Sequence, residues 1–125
     1  MIHLDTSFLI RALISGSAED QRLRSWLAAR EALGMSVIAW TEFLCGPVEP
    51  TLLSLVTELV TERVPFSEDE SAVAAALFNA SGRRRGSLID CMIAAAAIRA
   101  GAALATANSS DFRRFRAAGL RLASA

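Results

Sequence analysis

Met1-Ile2-His3-Leu4-Asp5-Thr6-Ser7-Phe8-Leu9-Ile10 opens the chain with two apolar runs on either side of one acid and two hydroxyls. Ile2 to Asp5 predicts a short strand, apolar and led by a β-branched residue. Asp5-Thr6-Ser7 supplies helix-capping side chains, and Ser7 to Leu13 predicts a helix that breaks at Ser15-Gly16-Ser17. A buried strand feeding directly into a helix is the building unit of an α/β domain. Asp5 stands at the joint, where an uncompensated charge is costly.

The same alternation continues outward. Residues 18 to 32 place Leu23, Trp26 and Leu27 on one face and predict a helix stopped by Gly34. Met35 to Ala39 predicts a second strand. Thr41 predicts a cap for a brief helix carrying Glu42, Phe43 and Leu44, ended by Gly46-Pro47. Pro50 to Glu62 is amphipathic, and Val64-Pro65-Phe66 is an extended link with edge-strand character. Ser67 followed by Glu68-Asp69-Glu70 starts a helix that runs to about Ser81, because first-turn acids complement the helix dipole. Leu88 to Ala100 predicts an apolar helix with Gly101 past its end, and Ala102 to Ala105 a buried strand. Asp111 to Ala117 predicts a short helix, and Leu120 to Leu122 a last strand. Short apolar strands alternating with helices predict a parallel sheet covered on both faces.

The 125 residues fit one domain, with 53% hydrophobic content and no tyrosine. Thirteen acids balance 13 arginines, and lysine is absent, so no global field points to nucleic acid. Local clusters at Arg83, Arg84 and Arg85 and at Arg113, Arg114 and Arg116 read either as phosphate contacts or as solvated surface. Cys45 and Cys91 have no paired spacing and His3 is the single histidine, which argues against zinc, a redox pair or a Ser/His/Asp set. Two free thiols, no leader peptide and no run of about 18 apolar residues predict a cytoplasmic chain.

Four acids interrupt or border the most apolar segments: Asp5, Glu42, Asp90 and Asp111. Each alone reads as a helix cap or a dipole acid. Together they predict one site, because ligands of an open α/β sheet bind outside the carboxyl ends of its strands. Asp5 ends the first strand, Glu42 follows the second, and Asn108 and Asp111 follow the strand ending near Ala105. Asp90 lies in the first turn of its helix. Converging carboxylates repel unless a cation intervenes, and hard oxygen donors suit Mg²⁺ or Mn²⁺. A phosphoacceptor of the receiver type would also pair an acid pocket with Mg²⁺, but it relies on a lysine that this chain lacks.

The opening segment, Thr41-Glu42-Phe43, Leu88 to Ala97 and Leu104 to Phe112 resemble the PIN-domain nucleases, in order and along the whole chain. The resemblance is strongest to VapC ribonuclease toxins of bacterial toxin–antitoxin pairs. It implies a three-layer PIN-like sandwich over residues 1–125. It also implies a Mg²⁺- or Mn²⁺-dependent endoribonuclease, homodimeric and restrained by a cognate antitoxin. Asp5 and Asp90 match the main metal ligands, Glu42 the third acid and Thr6 a supporting hydroxyl. The family places the fourth acid either in the loop position where this chain has Asn108 or in the Asp-Phe pair, so Asp111 carries the charge with Asn108 in support. Arg83, Arg84, Arg85, Arg113 and Arg114 are candidate contacts to RNA or antitoxin. The other reading is a PIN-like binding or regulatory module that keeps its acids yet acts through a partner. Residues 50 to 60 and 72 to 78 carry surplus apolar helix surface and form the expected dimer face.

Overall fold

A computed structural model describes residues 1–123 and places five strands in one sheet, in the order β3-β2-β1-β4-β5. The strands are β1 (Ile2–Leu4), β2 (Leu33–Ser36), β3 (Glu62–Val64), β4 (Ala103–Ala105) and β5 (Arg121–Leu122). Every neighbouring pair is parallel, so the carboxyl ends of all five face one edge. Ile2 is central, opposite Leu33 on one side and Ala103 on the other.

The helices are α1 (Thr6–Ala12), α2 (Ala18–Ala28), α3 (Val37–Cys45), α4 (Pro50–Leu59), α5 (Glu68–Ala80), α6 (Leu88–Ala100) and α7 (Ser109–Phe112). A 3-10 segment, Arg113–Ala118, continues from α7. Helices α1 and α2 pack together, as do α5 and α6. The core is one cluster in which Phe8, Met35, Val56, Ile93, Leu104 and Phe115 are almost wholly buried. Helix α6 is the apolar centrepiece, with Cys91 and Ile93 to Ala97 all buried. Alanines there let the backbone approach the sheet closely, and the left-handed Gly101 closes the helix.

Several expectations are corrected. The second strand lies at Leu33–Ser36, not Met35–Ala39, because the Ser36 hydroxyl accepts from the Ala39 N–H at 3.1 Å and turns the next four residues into helix. Thr41 therefore sits inside α3, bonding back to the Val37 carbonyl, and Glu42 lies midway along α3. Gly34 is a strand residue rather than a stop. A Cβ there would meet Met1 Sδ at 3.1 Å and the Glu62 carbonyl at 3.3 Å, so glycine permits the close packing of β2 beneath its neighbours. Helix α2 ends earlier, at Ala28, with Ala29 as its cap. The final helix begins at Ser109 and tightens into the 3-10 segment after Phe112, so Asp111 lies within α7. Of the apolar surface expected around residues 72 to 78, Ala74 and Leu77 are buried.

Candidate metal and nucleic-acid site

Asp5 is the N-cap of α1 and is almost fully buried, 5% exposed. Its backbone N–H donates to the Ala105 carbonyl at 2.9 Å, which ties the end of β1 to the end of β4. Its Oδ1 accepts from the Thr6 N–H at 2.9 Å. Its Oδ2 accepts from two hydroxyls, Ser7 Oγ at 2.7 Å and Thr106 Oγ1 at 2.8 Å. A carboxylate has about four lone-pair positions, so these three bonds fix its rotamer and leave roughly one oxygen lone pair for a cation.

The two hydroxyls are committed in turn. Ser7 Oγ accepts from the Ala107 N–H at 3.1 Å, and Thr106 Oγ1 from the Asn108 N–H at 3.0 Å. The loop after β4 is thereby folded over Asp5. Asn108 precedes α7, and its side chain makes no capping bond. Ser7 and Thr106 were not among the expected site residues. A hydroxyl directly after a strand, in the position Asp5 holds after β1, was the available signal for Thr106.

Thr6 joins a second acid to the first. Its hydroxyl donates to the Ala39 carbonyl at 2.8 Å and lies 3.3 Å from Glu42 Oε1. Glu42 is an exposed residue on α3, but its carboxyl turns inward toward Thr6. Its pKa is raised, first by desolvation of that carboxyl, then by the charge of Asp5 and, more weakly, of Asp90; the Thr6 bond opposes the rise. Asp90, in the first turn of α6, is also raised: by desolvation first, then by Asp5 and Asp111. Arg114 and Arg84 pull it back, and Arg114 Nη2 stands 4.0 Å from Asp90 Oδ2. The charges of Asp5 and Asp90 thus reach Glu42, and those of Asp5 and Asp111 reach Asp90, from four separate segments.

Among the described residues, no three His, Cys, Asp or Glu side chains are already closed into a ligand cage. The donor chemistry nonetheless fits a hard divalent cation. The four converging groups are all carboxylates, with hydroxyls between them. The softer donors are withheld. His3 is buried with neither ring nitrogen hydrogen-bonded to a described residue, and the Cys91 thiol is pushed up by burial, away from thiolate.

The arginines divide. Arg114 and Arg84 stand on the Asp90 side. Arg83 adopts a left-handed backbone, bonds Asn79 and lies over the Phe78 ring, so it faces α5 instead of the acids. Arg85 is exposed beside them. Arg113 is exposed on the opposite flank, beyond Thr106.

A five-stranded all-parallel sheet flanked by helices, with acids brought toward its carboxyl edge from four segments, defines an α/β domain. The PIN domain family model matches residues 2–118, and the chain belongs to that family. No curated protein matches it in sequence. Among solved structures it is similar to VapBC-1 from nontypeable Haemophilus influenzae, at 24% identity and a TM-score of 0.76, covering 99% of this chain and 98% of that one. It is also similar to VapBC2 from Rickettsia felis bound to a DNA fragment from their promoter, at 21% identity and a TM-score of 0.75, covering 98% of each chain. A toxin–antitoxin complex from Klebsiella pneumoniae is similar at 27% identity and a TM-score of 0.69, covering 90% of this chain and 91% of that one.

Proposed function

We propose that this chain is a divalent-metal-dependent endoribonuclease, the VapC-type toxin of a toxin–antitoxin pair. The observation that carries the reading is Asp5, clamped by three hydrogen bonds at the carboxyl edge of the sheet, with Glu42 and Asp90 near enough to feel its charge. Membership of the PIN family and the likeness to chains from toxin–antitoxin structures support it. No helix of the described residues is long and apolar enough to cross a membrane.

Asp5 and Asp90 would hold Mg²⁺ or Mn²⁺. The ion supplies charge stabilisation for a phosphodiester in displacement and lowers the pKa of water. Glu42, whose raised pKa brings it nearer to proton exchange, orients the attacking water and takes up its proton. Asp111, which already acts on Asp90 through space, completes the negative charge of the site on the α7 side. Thr6 holds Glu42 against α1, and Asn108 follows the loop that covers Asp5. Arg84 and Arg114 on the Asp90 flank, with the exposed Arg85 beside them, contact RNA phosphate or the antitoxin; Arg113 does so from the Thr106 side, and Arg83, turned toward α5, is the weakest of the five candidates. In the resting state a cognate antitoxin covers the site, and two copies of the chain associate.

The test is cleavage of purified RNA by antitoxin-free protein with Mg²⁺ or Mn²⁺. Cleavage that disappears in EDTA and in both Asp5→Ala and Asp90→Asn is the expected outcome. Cleavage that survives either substitution, or proceeds in EDTA, overturns the metal site. Binding of RNA or protein with no cleavage under either metal instead identifies a binding module.

A further inference from the structure

A polar cavity of about 330 Å³ adjoins the acid site through Thr106, which lines it and bonds Asp5. Its polar lining is Arg22, Thr106, Ser109, Arg113 and Arg116. These come from α2, the loop after β4, α7 and the 3-10 segment. Among the described residues no carboxylate lines the cavity and none of the three arginines is in an ion pair. The arginines that do pair with acids, such as Arg24 with Asp20 and Arg99 with Asp69, lie elsewhere.

Arg22 shows that this is more than a solvated basic surface. Its guanidinium lies over two aromatic rings, 5.3 Å from the Phe8 centroid and 5.4 Å from the Trp26 centroid. Its Nη2 donates to the Ala123 carbonyl at 2.9 Å, while its buried Nε has no partner among the described residues. A half-buried, permanently charged group held by ring faces and one carbonyl is under-compensated. Two further guanidiniums on the same cavity add repulsion that an anion would relieve. Guanidinium forks and the Ser109 hydroxyl together suit the oxygens of a phosphate.

We propose that this cavity is a phosphate subsite that receives a backbone phosphate of the RNA next to the one being cleaved. The inference rests on the nuclease reading above and adds to it a second anchoring point, on the flank opposite Arg84 and Arg114. Thr106 sets the spacing, because it lines the cavity and also donates to Asp5 Oδ2 at 2.8 Å. A strand of RNA running from the Asp90 flank across Asp5 to this cavity meets arginine on both sides of the acids. Of the sequence candidates Arg113 and Arg116 belong to this subsite; Arg22 is new to it.

The test is equilibrium binding of a fluorescent single-stranded RNA in EDTA, across a salt series. Arg113→Gln/Arg116→Gln removes two exposed side chains, so it should keep the parent's melting temperature. Arg99→Gln removes an equal charge per site at the far end of α6 and serves as control. The double variant should bind about 10-fold more weakly, with a slope of log K against log salt shallower by about 0.7, the value for one single-strand phosphate. Arg99→Gln should match the parent. If the parent binds and cleaves RNA while the folded double variant matches its affinity and slope, the subsite is wrong and the nuclease reading stands. If the parent neither binds nor cleaves RNA, the nuclease reading fails and the subsite falls with it.

Discussion

Thr106 Oγ1 donates to Asp5 Oδ2 at 2.8 Å, joining the ends of two adjacent parallel strands through side chains as well as backbone. Asp5 also takes a bond from Ser7 on the same oxygen, so Thr106 is not needed to desolvate or fold the aspartate. What it sets is direction. Thr106→Val should leave the fold intact while costing about 10- to 100-fold in metal affinity or turnover, the usual scale for losing a group that orients a ligand. Metal titration by calorimetry, with turnover beside it, checks this. Unchanged affinity and unchanged turnover would refute an orienting role for Thr106.

The acids are unequal, and so are the losses expected from them. Asp5 and Asp90 sit where a cation must be held, so Asp5→Asn and Asp90→Asn should each lower cleavage on the order of 10³-fold, the scale of removing a charge partner from a reacting centre. Asp111 is exposed and acts on Asp90 through space. Asp111→Asn should therefore lose less, roughly 10-fold, since its interaction is screened by solvent. Single-turnover assays at saturating Mn²⁺ give the ranking. A loss at Asp111 equal to that at Asp90 would mean that Asp111 is itself a ligand.

The four acids of the proposed site were picked out in sequence because charge inside apolar sequence is a strong local signal. Asp5 breaks a run that buries almost completely on its strand side, whereas Asp90 stands between the exposed Leu88 and Ile89 and the buried stretch that begins at Cys91. The second strand was misplaced for a physical reason. Ser36-Val37-Ile38-Ala39 is a short apolar run, and periodicity cannot separate a buried strand from the first turn of a buried helix. The Ser36 hydroxyl decides between them only once it meets the Ala39 N–H. Arg22 carried no signal at all. In sequence it is one arginine on the polar side of an amphipathic helix, and its meaning comes from Phe8, Trp26 and the chain near β5, which only the fold brings together.

The raised pKa values of Glu42 and Asp90 carry a cost to the metal-free fold. A carboxyl whose folded pKa exceeds its unfolded one binds a proton more readily when folded. Stability from that group is therefore present at low pH and lost as pH rises through the folded value. At neutral pH, without metal, Asp90→Asn should stabilise the protein by about 0.5–1 kcal/mol, a figure kept small by partial exposure. The gain should shrink below the ordinary carboxylate range and also when Mg²⁺ is added to the parent. Thermal melts in EDTA at pH 7 and pH 3.5 check the sign, and a variant less stable than the parent at pH 7 would contradict it.

His3 gives the opposite pH dependence from within the sheet. It is 1% exposed, and its pKa is lowered from 6.5 to about 4, first by burial and then by the positive charge at the Met1 amine. Above pH 6.5 the ring is neutral in both states and contributes no slope. Between 6.5 and 4 the unfolded chain takes up a proton that the folded chain refuses, so stability falls as pH falls. Below 4 the effect levels off, after a loss on the order of 3 kcal/mol. His3→Leu replaces the ring with an apolar side chain and removes two buried nitrogens that have no partner among the described residues. The variant's denaturant midpoint should therefore fall less than the parent's between pH 6.5 and 4, whatever the carboxylates contribute to both. Parallel acid limbs for the two proteins would show that His3 is protonated in the folded chain, with a partner supplied by rearrangement of β1.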